Sequence, residues 1–201
     1  MGLVSRTRTG YSAPIPLFAG FGLFLVAIAY LVAASLTRRT APVFAASSPS
    51  RARSADWERV GDTLTIDATD GDRWQFVSLS LGRALAPSDT SGWEIAVQRY
   101  RVIASSGIAD LGEQPFERAA VQAPTFVQTT SGPVPENAAI RHWYRYNLLT
   151  HLLEPNGHLY AVRGAGGRLW KLQMLSYYCP GLTAGCLTVR YGPLAARAAS
   201  R

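Results

Sequence analysis

The chain has 201 residues with 20 basic and 13 acidic side chains, a formal net charge of +7. Six arginines and no acid fall in residues 1–53 (Arg6, Arg8, Arg38, Arg39, Arg51 and Arg53), leaving 14 basic against 13 acidic side chains from residue 54 onward. The folded part therefore lacks the basic face that phosphate neutralisation needs, which excludes nucleic acid as a partner, and two cysteines exclude a multi-bridge scaffold while allowing one disulfide.

Residues 1–16 read as a cytoplasmic tail. Residues 17–36, LFAGFGLFLVAIAYLVAASL, carry no charge. As a helix they span about 30 Å, the hydrocarbon thickness of a bilayer, which predicts a single transmembrane helix. A cleaved secretory signal is the alternative, with Arg6 and Arg8 as its basic region, but signal cores are shorter, about 7–15 residues. Gly20 and Gly22 leave a thin surface where another helix could pack. Arginine counts favour neither orientation cleanly, since Arg6 and Arg8 face Arg38, Arg39, Arg51 and Arg53 across the span. The cysteine pair argues for a domain outside the cytoplasm, giving an inner-membrane, single-pass protein with a periplasmic carboxy-terminal domain. Residues 37–55 are rich in Ala, Ser, Pro and Arg and read as a flexible tether.

From residue 56 to 192 short apolar segments of period two alternate with Gly, Pro, Asn and Asp clusters, which predicts an antiparallel all-β fold, a sandwich or partly open barrel of hairpins. Thr63 to Asp67 and Trp74 to Leu81 are the first two strands, separated by the Asp70-Gly71-Asp72 turn. Trp93, Ile95 and Val97 share a face, and the phase slips at Gln98-Arg99 before Val102, which suggests a β-bulge. The proline-bearing stretch from 107 to 139 predicts loops with short strands and a little helix around Phe116 to Val121. Tyr160 and Val162 lead through Gly164-Ala165-Gly166-Gly167 to Trp170, Leu172 and Met174, then to Leu187, Val189 and Tyr191, as consecutive hairpins. Cys179 and Cys186 flank a Pro-Gly turn and are placed to form a disulfide. Residues 193–201 read as a tail.

No G-x-S-x-G elbow exists and neither cysteine has a histidine neighbour, so no nucleophile is assigned and the chain is read as no enzyme. His142, His151 and His158 have no zinc-type spacing, and no metal site is expected. Neutral imidazole is nonetheless the usual protein ligand of haem iron, which makes His142 and His151 candidate ligands. Trp143, Tyr144 and Tyr146 could stack on a planar ligand, or pack on a half-buried strand.

The run Trp93-Glu94-Ile95-Ala96-Val97-Gln98-Arg99-Tyr100, followed by Ser105-Ser106-Gly107, resembles a strand of HmuY-type proteins. So do His142-Trp143-Tyr144-Arg145-Tyr146, Thr150-His151, Pro155, Tyr160-Ala161-Val162-Arg163, Gly167 and Lys171-Leu172-Gln173-Met174-Leu175-Ser176-Tyr177-Tyr178, in order and spacing. The resemblance covers residues 56 to 191 and implies that family's β-fold. It also raises haem, which HmuY-type proteins hold with two histidines, although this chain has a hydrophobic helix where they carry a lipid-anchor cysteine. Fold does not transfer function. The sequence thus supports two expectations. One is an accessory subunit without a cofactor, bracing integral membrane subunits of an electron-transfer or photosynthetic complex. The alternative is a membrane-tethered haem or tetrapyrrole binder.

Overall fold

The computed structural model describes residues 15–36, 57–117, 120–122 and 124–197. The expected tail before Ile15 and the tether at 37–55 lie outside the described residues. The chain divides into two compact units, the first holding the amino-terminal helix and the second the β-domain.

Helix α1 runs Ile15–Leu36, without acid or base in its terminal turns. Its large apolar side chains are exposed, with Phe18 at 69%, Leu23 at 73% and Tyr30 at 67%. Space around the Gly20 and Gly22 Cα atoms is open. Among the described residues no helix is long and apolar enough to cross a membrane. The helix expected from the sequence is present, and its membrane span is not established by the fold.

In the second unit a short helix α2 (Trp57–Val60) precedes thirteen strands among the described residues. They are β1 (Asp62–Asp67), β2 (Gln75–Ser78), β3 (Arg83–Ala84), β4 (Ile95–Gln98), β5 (Arg101–Ala104), β6 (Ile108–Glu113) and β7 (Ala120–Gln122). After these come β8 (Tyr144–Asn147), β9 (Leu152–Pro155), β10 (His158–Arg163), β11 (Leu169–Tyr178), β12 (Ala184–Pro193) and β13 (Ala195–Arg197). A five-stranded sheet in the order β1-β12-β11-β10-β6 and a four-stranded sheet in the order β3-β2-β4-β5 hold most of them. Both are antiparallel and open at their edges, so no barrel closes among the described residues.

Alternation decides which side chains meet between the sheets. Leu187, Val189 and Tyr191 of β12 and Trp170, Leu172 and Met174 of β11 join Val77, Ile95, Val97 and Val102 from the smaller sheet in one buried cluster. The opposite face of β12 carries Thr188, whose hydroxyl lies 3.0 Å from that of Thr65 across the β1 register. A second cluster of Ala109, Ala161 and Leu194 covers part of the outer face. Burying a large aliphatic side chain stabilises by about 1.5–3 kcal/mol, so the shared cluster is the main force joining the sheets.

Two expectations are corrected. The phase slip at Gln98-Arg99 is a hairpin turn and no bulge: Gln98 pairs with Arg101, and Arg99 and Tyr100 form the loop with Arg99 at φ 52°. A left-handed non-glycine residue costs on the order of 1–2 kcal/mol, and no Gly or Asn announces the turn. Among the described residues of the stretch from Phe116 to Val121 the expected helix is not found: Phe116 and Glu117 lie in a turn and Ala120 and Val121 in a strand. The Phe116 carbonyl accepts the buried Lys171 Nζ at 2.8 Å, its ring lies 4.1 Å from the Arg190 guanidinium carbon, and Ala120–Gln122 pairs in parallel with β13. The domain thereby reaches Arg197, inside the segment expected as a tail.

Cys179 and Cys186 form the disulfide the sequence suggests, with Cα atoms 4.9 Å apart across the β11–β12 turn. Closing so short a loop stabilises by about 2–3 kcal/mol on the chain-entropy estimate. The double variant C179S/C186S is expected to lose that amount in urea unfolding followed by tryptophan fluorescence. An unchanged midpoint would show that the turn's own bonds, such as Cys179 N–H to the Thr183 carbonyl at 2.8 Å, already suffice.

Candidate functional site

The site grows from the segment leading into β8. Asn137 is buried and organises it: its carbonyl accepts the Ile140 and Arg141 N–H groups, while its amide donates to the Val127 carbonyl at 2.9 Å. This tight turn delivers Trp143 into the core at 0% exposure. The indole Nε1 donates to the Tyr100 carbonyl at 2.8 Å, which pins the strained β4–β5 turn. Edge-to-face contacts follow, Trp143 to Tyr144 at 5.2 Å, Trp143 to Tyr177 at 6.1 Å and Tyr144 to Tyr100 at 5.7 Å. Such pairs add about 0.5–1.5 kcal/mol each beyond area burial.

Outside this aromatic row lies a cavity of about 340 Å³, lined by Tyr100, Arg101, Val102 and Tyr144 together with Arg141 and His142. Pro135, Glu136 and Asn137 complete its wall. The volume is at the lower end of small-molecule sites, about 300–1,000 Å³. Two guanidiniums against one carboxylate, Glu136, leave its lining with a positive balance, which suits an anionic group. Burial holds the Tyr144 phenol above its ordinary pKa, with Tyr100 adding to the effect. Tyr144 therefore stays a neutral hydrogen-bond donor.

His142 is fixed through its backbone. The Asn156 amide donates both to the His142 carbonyl and to the Tyr160 hydroxyl, at 3.0 Å each. The Tyr160 ring is buried, and burial pushes its pKa up to about 12. The Asn156 bond opposes that rise and Asp110 adds to it.

The side chains singled out from the sequence fall in different places. Trp143 is a core residue and unavailable for stacking on a ligand. His142 and His151 fall at opposite ends of the β8–β9 hairpin, since His142 precedes β8 and His151 follows its tip. At about 3.3 Å per residue that is roughly 15 Å along the strands, too far for two axial ligands of one iron. His151 instead bonds the Tyr146 hydroxyl through Nδ1 at 2.7 Å, and both side chains are exposed. Tyr144 lines the cavity and Tyr146 does not. Among the described residues no group of three or more His, Cys, Asp or Glu could hold a metal ion. Tyr100, Arg101, Arg141, Asn137 and Asn156 carry the site without a sequence signal, because three distant segments meet there. His158 starts β10 and binds both Asp110 carboxylate oxygens through Nδ1, at 3.0 and 2.9 Å.

This architecture has solved counterparts. The apo HmuY analog of Tannerella forsythia superposes with a TM-score of 0.57 at 14% identity, over 66% of this chain and 94% of its own. The fold is that of HmuY-type proteins. An HmuY-like protein of Bacteroides vulgatus, named provisionally for haem binding, matches with a TM-score of 0.56 at 18% identity, over 76% of this chain and 98% of its own. A protein of Bacteroides fragilis named provisionally as a lipoprotein matches with a TM-score of 0.54 at 16% identity, over 66% of this chain and 90% of its own. No protein-family model and no curated protein matches the sequence. At these identities the likeness carries the HmuY-type fold and leaves the ligand to be argued from the cavity.

The Tyr160 hydroxyl gives a pH dependence. Its folded pKa is raised above the ordinary 10.0, so its stabilising share is complete below pH 10 and is lost as pH rises through about 12. Unfolding at stepped pH is expected to show a decline over that window that Y160F diminishes. Parallel curves for the two proteins would refute the assignment.

Proposed function

We propose that the β-domain is a non-enzymatic binding module whose cavity takes a planar, carboxylate-bearing aromatic ligand of the tetrapyrrole class. The observation that carries this reading is the cavity itself: Tyr100 and Tyr144 offer aromatic surface, Arg101 and Arg141 suit carboxylates, and His142 stands among them. Guanidinium pairs with carboxylate through short, charge-assisted bonds roughly twice as strong as neutral ones. The HmuY-type fold and the haem-binding name of the Bacteroides vulgatus protein support the same ligand class. His142 would be the imidazole to hold an iron, and His151 and His158 do not line the cavity. An iron porphyrin there would bring a Soret absorption sensitive to that ligand.

Haemin titrated into the purified chain is expected to shift the Soret band, and H142A to abolish the shift while metal-free protoporphyrin still binds. The R101A/R141A variant is expected to weaken both ligands by about tenfold to a hundredfold, the loss of charged hydrogen bonds of about 1.5–3 kcal/mol. A spectrum that never departs from free haemin rules out the tetrapyrrole reading.

A second reading rests on α1. Helix α1 carries no charge in twenty-two residues and exposes large apolar side chains such as Phe18, Leu23 and Tyr30, which suits attachment at a membrane. The disulfide suits the periplasmic side, and a membrane-attached neighbour is suggested by the lipoprotein name. On this reading the β-domain is held at the inner membrane beside integral subunits of a larger assembly, of an electron-transfer or photosynthetic kind. A tagged chain extracted in mild detergent is then expected to bring those subunits with it. Recovery from the soluble fraction as a lone monomer would end this reading.

A further inference from the structure

The β8–β9 hairpin ends in an apolar tip that neither reading above uses. Leu148 and Leu149 are neighbours in the loop and are 77% and 66% exposed, and Tyr146 at its base is 51% exposed. Large apolar side chains paired at a projecting turn give up the burial that the rest of the domain achieves, and such exposure marks a contact surface.

We infer that this tip is a finger that seats in the headgroup layer of a phospholipid bilayer bearing anionic lipids. Three features fit the chemistry of that layer. The first is backbone satisfaction, since a loop that leaves water must bond its own N–H groups. Asn147 Oδ1 accepts from the Leu149 and Thr150 N–H groups, at 2.9 and 3.2 Å. The second is a polar collar behind the leucines. The Tyr146 hydroxyl meets His151 Nδ1 at 2.7 Å, Asn147 Nδ2 donates to Glu154 Oε1 at 2.8 Å, and Arg145 stands opposite Glu154 in the register. Phenol and imidazole groups with an apolar body and a polar tip suit the boundary between headgroups and acyl chains.

The third feature is charge. Beside the tip stand Arg145 and His151, against one carboxylate, Glu154, opposite Arg145 in the register. Basic groups beside an apolar insertion draw a segment to an anionic leaflet. Size argues for lipid over a protein partner: a stable protein interface covers about 800 Å² per side, and two leucines with a tyrosine supply a small part of that. The inference does not require α1 to span a membrane, because the finger is tested at its own position.

The full chain with L149C, labelled with the polarity-sensitive fluorophore NBD, tests it. The native cysteines are joined to each other, so the label goes to position 149. A comparison label at L81C reports an exposed leucine in another turn, where Leu81 is 54% exposed. With vesicles of phosphatidylcholine and phosphatidylglycerol, the label at 149 is expected to shift to the blue, lose quenching by aqueous iodide and gain quenching by brominated acyl chains. The label at 81 is expected to do none of these. Phosphatidylcholine alone is expected to give a smaller shift, and L148D to remove it. An unshifted, iodide-accessible label at 149 overturns the inference. So does an equal shift at 81, which reports non-specific adsorption, or a concentration-dependent shift without vesicles, which reports self-association.

Discussion

One hydrogen bond organises the functional end of the molecule: the buried indole of Trp143 donating to the carbonyl of Tyr100. Tyr100 belongs to a two-residue turn that no glycine relaxes, and Arg99 holds a left-handed conformation there. The indole satisfies the turn's carbonyl and fills the volume beneath it. Because Trp143 opens directly into β8, the same contact sets where the β8–β9 hairpin leaves the core. Tyr144 on one side and Tyr177 on the other then brace it. Cavity and finger are two products of this anchor, one on each side of the strand that follows it.

The domain separates functions by burial. Trp143, Trp170, Tyr160 and Phe116 are nearly or fully buried and set the shape. Tyr100, Tyr144, Arg101, Arg141 and His142 line the cavity and set its chemistry. Asn156 links the two sets, since it reaches from the Tyr160 hydroxyl in the core to the carbonyl of His142.

The five-stranded sheet was largely legible in the sequence because it obeys period two: Leu187, Val189 and Tyr191, and Trp170, Leu172 and Met174, alternate with polar partners over long runs. The disulfide was legible from spacing around a Pro-Gly turn. Arg99-Tyr100 was not readable as a turn, since neither residue is a turn former and the stabilising partner is 43 residues away in sequence. Likewise β7 and β13, three residues each, pair in parallel with nothing local to announce it. The cavity was illegible for a related reason. Its walls come from residues 100–102, 135–137 and 141–144, and only His142 and Tyr144 stood out as residue types. Trp143 shows the converse hazard, an aromatic whose chemistry suggests a ligand and whose burial serves the core.

The register between β1 and β12 has a bearing on how the protein is made. Thr65 and Thr188 touch across a sequence separation of 123 residues. Contacts of such long range close slowly, because chain entropy is lost before the pairing compensates. Until β12 emerges, β1 has no partner in the sheet, and its open N–H and C=O groups are a template for any other strand that passes. A cell that carries this chain across a membrane before it folds would therefore need to shield the first strand for most of the length of synthesis.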